Sequence, residues 1–335
     1  MPIKTFRQAI IEALDSEMAR DPGVFLIGED VAGGTGCEGE IDAWGSPFGQ
    51  SKGLYGKYGP MRVVDATLTE GAFTALGLGA ATQGMRPVVD LMFNDFFSTS
   101  ADQVVNQIPK QHFLFGGQDK APMVIKANHG AGVGAGAQHS QALHSIFTYF
   151  AGLKVVMPSN AYDCKGLLIQ AIRDDSPVIF LEPKLLMDST ADVPDEAYTI
   201  PFGEAEYITE GDDVTIVALG YMVTIAQKAA AALAKQGIEV ELLDLRTTSP
   251  LDLDTIVESL EKTGRLVIVD EGSPRCGFAS DVAAHVTAAA FEHLKAAPKM
   301  VTAPFTQIGF APAYEQAYIP SPERVEAAVK EVMGE

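Results

Sequence analysis

The chain has 335 residues, a length that favours two domains, and its 47% hydrophobic and 20% charged residues are the balance of an ordinary globular protein. No apolar run approaches the roughly 18 residues a membrane span needs, which excludes a transmembrane protein. A formal net charge of -20 repels phosphate backbones, which argues against nucleic acid as a partner and would attract a basic protein, the alternative being acidity that serves solubility alone.

The opening MPIKTFRQAI reads directly into an amphipathic helix over about 5 to 20, without an apolar signal core or an Arg/Ser-rich transit stretch, and the expectation is a bacterial cytoplasmic protein. Apolar runs then alternate with helical patterns. VFLIG at 24 to 28, PVVDLMF at 87 to 93, PMVIKA at 122 to 127, LKVVMP at 153 to 158 and VIFLE at 178 to 182 read as buried strands, with helices at about 70 to 83, 99 to 112, 139 to 150 and 162 to 173. That rhythm predicts an α/β fold, a parallel sheet with helices on both faces. It fails in the acidic, proline-bearing stretch after Pro183, read as a connector over 186 to 213 between a domain at 1 to 185 and another at 214 to 335. The second domain starts with VTIVAL, VELLDL and RLVIVD as strands, Asp252 as a helix cap, and a last helix opened by Ser321 and Pro322.

Three widely spaced cysteines, Cys37, Cys164 and Cys276, fit neither a disulfide framework nor a metal knuckle. Gly130-x-Gly132-x-x-Ala135 matches the looser dinucleotide fingerprint, but the next strand ends in Met157-Pro158-Ser159-Asn160, with no acidic residue to hold a ribose. A tight glycine turn that lets backbone approach a neighbour is the preferred reading. GxxxxGK[ST] and HExxH are missing, and the GxSxG spacing at 49 to 53 lacks the strand and helix of a nucleophile elbow.

Several segments together resemble the beta subunits of thiamine-diphosphate-dependent 2-oxo acid and acetoin dehydrogenases. They are GEDV at 28 to 31, GLYGKYGPMRVVDATLTEGAF at 53 to 73, GMRPVVDLMFNDFFSTSADQVVNQ at 84 to 107, GAQHSQALHSIF from 136, DLRTTSPLD at 244 to 252 and TGRLVIVDEGSPRCGFASDVAA at 263 to 284. The insertion over 33 to 60 and the run AQHSQALHSIFTYFAGLKVVMPS point to the acetoin branch. The resemblance implies a transketolase-like pyrimidine-binding domain followed by a transketolase-type carboxy-terminal domain.

The same resemblance implies the site. Glu70 would hydrogen-bond the pyrimidine ring nitrogen of thiamine diphosphate and so favour its imino form, which takes the proton from the thiazolium carbon. Without the resemblance, Glu70 is a helix-start residue complementing the dipole. Phe96 would lie against the pyrimidine and Met92 would line its pocket; both are otherwise ordinary core. His139 corresponds to the family's active-site histidine, the alternative being a capping or core histidine. Glu29 would reach toward the cofactor, or be a polar residue at a strand's carboxyl end. A potassium ion is implied near the Met123, Ala171 and Ile172 carbonyls and Asp174. Around His139 no motif-borne cation is closer in sequence than Lys126.

Thiamine enzymes hold magnesium and diphosphate through a GDG motif, whereas the nearest match here is GDD at 211 to 213. The implied partner is therefore an alpha subunit that holds magnesium and diphosphate in an alpha2beta2 heterotetramer, with a lipoyl acyltransferase core receiving the acyl group. The implied substrate is acetoin or a related hydroxyketone. Pyruvate, a branched-chain 2-oxo acid, and a non-catalytic assembly subunit remain the alternatives.

Overall fold

A computed structural model describes residues 1–33 and 44–334, so Cys37 and the stretch 34–43 of the expected insertion lie outside the described residues. The chain divides into two compact units. The first comprises Met1–His129, Tyr149–Glu182 and Leu186–Pro201.

In that unit a short strand, β1 (Ile3–Thr5), leads into α1 (Phe6–Arg20), whose start is fixed by a reciprocal capping box between Thr5 and Gln8. Then follow β2 (Val24–Gly28), α2 (Leu54–Tyr58), β3 (Val63–Asp65), α3 (Glu70–Thr82), β4 (Arg86–Phe93), β5 (Val124–His129), β6 (Lys154–Val156), α4 (Ala161–Arg173), β7 (Val178–Pro183) and β8 (Thr190–Asp192). The predicted apolar strands β2, β5 and β7 are buried along their whole length, because a parallel sheet is covered on both faces. Six strands of this unit run in the order β6-β7-β5-β4-β2-β3. β2 is parallel to both β3 and β4.

Two expectations change here. The helix predicted over 99 to 112 is an irregular winding instead, with 3-10 turns at Asn94–Ser100 and Ile108–Lys110 around π turns at Asp102–Gln107. Pro109 has no N–H to give to a regular helix there. The helix predicted over 139 to 150 is reduced to His144–Thr148, preceded by left-handed backbone at Gly130, Gly132, Gly134 and Gly136.

The second unit comprises Gly130–Thr148, Pro183–Leu185 and Phe202–Glu335. Its elements are β9 (Glu206–Thr209), β10 (Val214–Ala218), α5 (Tyr221–Ala234), β11 (Val240–Asp244), α6 (Leu253–Thr263), β12 (Leu266–Asp270), α7 (Phe278–Ala290), β13 (Lys299–Thr302), α8 (Pro312–Tyr318) and α9 (Pro322–Met333). Its sheet has the order β13-β12-β10-β11-β9, parallel except for the edge strand β9. The core is the apolar face of α5 and α9 on β10, β11 and β12, through Ile216, Ala226, Leu242, Val267 and Val325. Asp252 and Ser321 cap α6 and α9 as expected, accepting from the amides of Thr255 and Arg324.

The stretch read as a connector is not a plain linker. It contains β8, which pairs antiparallel with β1, and β9, which pairs with β11. Both strands are short and mostly exposed, so they carry no apolar run for the eye to find.

In this second unit the buried His144 lies 3.0 Å from Asp270. Burial by itself would lower the histidine; the charge of Asp270 outweighs it and raises the imidazole above its ordinary value. Asp270 is held below the usual carboxylate range in spite of its burial, by His144 and by the amides of Gly272 and Ala279. A raised histidine contributes stability that is full below its unfolded pKa of about 6.5 and lost as pH rises through the folded value. The expected result for His144→Gln is a lowered thermal midpoint, with the gap to the parent wide near pH 6 and narrowing in alkali. A gap independent of pH, followed by thermal scanning across that range, would make the pair an uncharged contact.

Candidate active site

The crevice of an open α/β sheet lies at the carboxyl ends of its strands, where the strand order reverses. In the first unit the chain passes from β2 to β3 on one side, while β4 flanks β2 on the other, so the reversal falls at β2 and β4. The residues at those two carboxyl ends are Glu29 and the segment Met92–Phe96. β2 and β4 come close at Gly28, where an added Cβ would meet the Asp90 carbonyl oxygen at 2.6 Å.

Glu29 is half-buried, and burial first, then the charges of Asp30 and Glu70, hold its carboxyl above the ordinary range. Glu70 is the first residue of α3 and is also half-buried. Its helix sits low on the sheet because Gly77 lets Val89 and Met123 in, a Cβ there coming within 2.6 Å of Val89 Cγ2. Phe96 makes an edge-to-face pair with Phe93, ring centres 5.6 Å apart, and Phe93 in turn meets Phe48 at 6.0 Å. The structure thus brings Glu29 and Glu70 into electrostatic reach of each other, and places Met92 and Phe96 at the reversal edge.

Met92 adopts a left-handed backbone, φ 65°, unusual for a side chain of its size. It falls where the β4–β5 register shifts between Asp90 and Phe93, a β-bulge of the kind that re-aims side chains near active sites.

Beneath it lies a set of residues the sequence reading missed. Lys126 is fully buried, its ammonium 2.7 Å from Asp90 and 3.2 Å from Glu182. Burial pushes the Glu182 carboxyl up to about 7 despite that ammonium. The signal was present: PVVDLMF, PMVIKA and VIFLE each carry one charged residue inside an apolar strand, and a charge buried that way needs a partner.

In the second unit, the loop carrying His139 has its own anchors. The amides of Gly132 and Gly134 each donate to one carboxylate oxygen of the buried Glu315 at 2.9 Å, so the site a dinucleotide phosphate would need is filled from within the chain. Gly136 lies against the ring of Phe310, where an added Cβ would come within 2.3 Å. This bears out the tight-turn reading of the glycine run. Lys184 donates to the backbone carbonyl of His139. A cation therefore does stand beside His139, and it is Lys184; Lys126 is sealed in its ion network. The expectation failed because Lys184 is far from His139 in sequence.

The potassium ligands do not fit an added cation. The carbonyls of Ile172 and Asp174 both accept from the Arg86 guanidinium, at 3.1 and 2.8 Å, and Lys154 pairs with the Asp174 carboxylate at 2.6 Å. Met123 and Ala171 give their carbonyls to the amides of Val178 and Asp174. A metal ion would sit against charges already there, so no step here is routed through potassium.

Two family profiles cover nearly all of the chain: "Transketolase, pyrimidine binding domain" over residues 4–189 and "Transketolase, C-terminal domain" over 203–325. A subunit beta of acetoin:2,6-dichlorophenolindophenol oxidoreductase from Cupriavidus necator is 53% identical over 98% of this chain and 97% of its own length. This chain belongs to the beta-subunit family of acetoin and pyruvate dehydrogenases. The same-named subunit of Bacillus subtilis is 46% identical, covering 98% of this chain and 96% of the relative, and a pyruvate dehydrogenase E1 component subunit beta of Rickettsia bellii is 41% identical over 98% of both. A solved structure described as a split gene transketolase, inactive beta4 tetramer, superimposes with a TM-score of 0.77 over 98% of each chain at 22% identity, which speaks to the fold alone.

The comparisons bear out the expected α/β fold of a transketolase-like pyrimidine-binding domain followed by a carboxy-terminal domain. They also favour the acetoin branch over the pyruvate branch, 53% and 46% against 41% identity.

Proposed function

We propose that this chain is the beta subunit of a thiamine-diphosphate-dependent dehydrogenase that cleaves acetoin or a related hydroxyketone and hands the acyl group to a lipoyl arm. The observation that carries this reading is the pair of carboxyls, Glu29 raised and Glu70 beside it, at the strand-order reversal where such sheets bind ligands. A flat heteroaromatic ring fits there: Phe96 offers an aromatic face, Met92 a polarizable wall, and Glu70 a carboxyl for a ring nitrogen.

Thiamine diphosphate, when bound, supplies the carbon nucleophile that attacks the substrate carbonyl. Glu70 holds the ring through one hydrogen bond and keeps a proton at its nitrogen. Glu29, its carboxyl raised by burial and then by the charges of Asp30 and Glu70, lines the same edge of the sheet. His139 serves as donor to a substrate oxygen, its loop fixed by Glu315 and Lys184. Magnesium and diphosphate fall to an alpha subunit, the sequence having no GDG motif.

Titration calorimetry tests the division of labour. The coexpressed alpha-beta complex is expected to take up thiamine diphosphate with magnesium and the lone chain none; micromolar uptake by the lone chain would overturn the split site. With 2,6-dichlorophenolindophenol as acceptor, the complex is expected to show a higher kcat/KM for acetoin than for pyruvate or a branched-chain 2-oxo acid. Lys184 beside His139 removes one argument against a carboxylate substrate, so the grounds for acetoin are the greater identity to the acetoin relatives. Preference for pyruvate would move the chain to the other branch.

A further inference from the structure

The left-handed Met92 is costly for a non-glycine residue, and such strain persists only where the surroundings impose it. At a bulge the strand ladder is interrupted, so the peptide groups around Met92 need other partners. Two side chains supply them. The Met92 amide donates to Asp90 Oδ1 at 2.8 Å, and the Met92 carbonyl accepts from Asn128 Nδ2 at 2.6 Å.

Asn128 is itself held. Its Oδ1 accepts from Gln50 Nε2 at 2.7 Å, and the same Gln50 nitrogen donates to Glu182 at 2.7 Å. Gln50 Oε1 accepts from the Ser46 hydroxyl at 2.6 Å. Gln50 is completely buried, and Asn128 and Ser46 nearly so. The chain of bonds runs in one direction, Ser46 to Gln50 to Asn128 to Met92, and flipping either amide would set oxygen against oxygen. Three residues from two separate stretches of sequence are thus spent on one backbone carbonyl.

We propose that Gln50 and Asn128 are positioning residues for the pyrimidine pocket, acting in series to hold the Met92 bulge and thereby the wall on which the cofactor ring rests. This inference rests on the proposed thiamine diphosphate site. Neither residue touches the cofactor; their effect passes through Met92.

The test uses the coexpressed alpha-beta complex and three variants, Gln50→Met, Asn128→Leu and the pair together. Calorimetric affinity for thiamine diphosphate with magnesium is measured beside the thermal midpoint and kcat at saturating cofactor. Asn128→Leu is expected to weaken cofactor affinity about tenfold, the range of one lost hydrogen bond. Gln50→Met should weaken it less, and the double variant no more than Asn128→Leu alone, because links in series do not add. Folded complexes with unchanged cofactor affinity, or independent losses that multiply in the double variant, would overturn the positioning role and leave the two amides as core filling. Should Asn128→Leu fail to assemble, Gln50→Met carries the test, since it leaves the Asn128 donor in place. If the parent complex itself binds no thiamine diphosphate, the proposed function fails instead, so the two failures are told apart.

Discussion

Replacing Glu70 with glutamine is expected to lower turnover of the assembled complex by about 10²- to 10⁴-fold, the range for loss of a positioned acid-base group. The amide has nearly the same volume and still reaches a ring nitrogen, but it cannot share the proton on which the reading depends. Assembly should survive, because Glu70 is only half-buried and the charge it offers the first turn of α3 is worth a few tenths of a kcal/mol. Glu29 gives a second readout. The charge of Glu70 helps to raise its carboxyl, so in Glu70→Gln that carboxyl should move down toward the ordinary range, visible as an acid-side shift in titration. Dye-coupled turnover and the thermal midpoint together decide the case. A variant that keeps near-parent turnover would reduce Glu70 to a residue that starts a helix.

Lys126→Met is expected to have the largest effect on stability, about 3–5 kcal/mol, the cost of removing one partner from a buried ion group. Methionine fills most of the space, so the loss comes from charge. Asp90 and Glu182 would face each other across a sealed pocket, and Glu182 is already pushed up to about 7 with the ammonium in place. The sign of the pH dependence follows. Without Lys126 the Glu182 carboxyl loses the charge that lowers it, so the folded state holds there a proton that the unfolded chain releases near about pH 4, and stability falls as pH rises from about 5 to 8. Denaturant midpoints for variant and parent at the two ends of that range measure it. Adding Glu182→Gln should recover part of the loss; a deficit that neither pH nor that second change alters would mean cavity formation and not stranded charge.

Much of this molecule was legible along the chain. Runs such as VFLIG, PMVIKA and VIFLE announced buried parallel strands, and Asp252, Ser321 and Pro322 marked helix starts, because periodicity and capping depend on neighbours a few residues away. The motif resemblance reached the family for the same reason: GEDV, ATLTEGAF and AQHSQ are local strings.

What the sequence alone could not yield are relations between distant stretches. The connector stretch, within which the division at Pro201 and Phe202 falls, also holds β8, which finds β1 across nearly the whole of the first unit, a pairing with no local mark. Lys184 beside His139, Arg86 on the carbonyls assigned to potassium, and Glu315 in the glycine turn are each brought to their partners by the folding of the sheets. The Met92 bulge is the plainest case. Its left-handed backbone has no signature in LMFN, since bulges are stabilised by whatever the adjacent strand and loop provide, here Asn128 and, behind it, Gln50. Local chemistry named the residues; only tertiary contact decided which oxygens they would find.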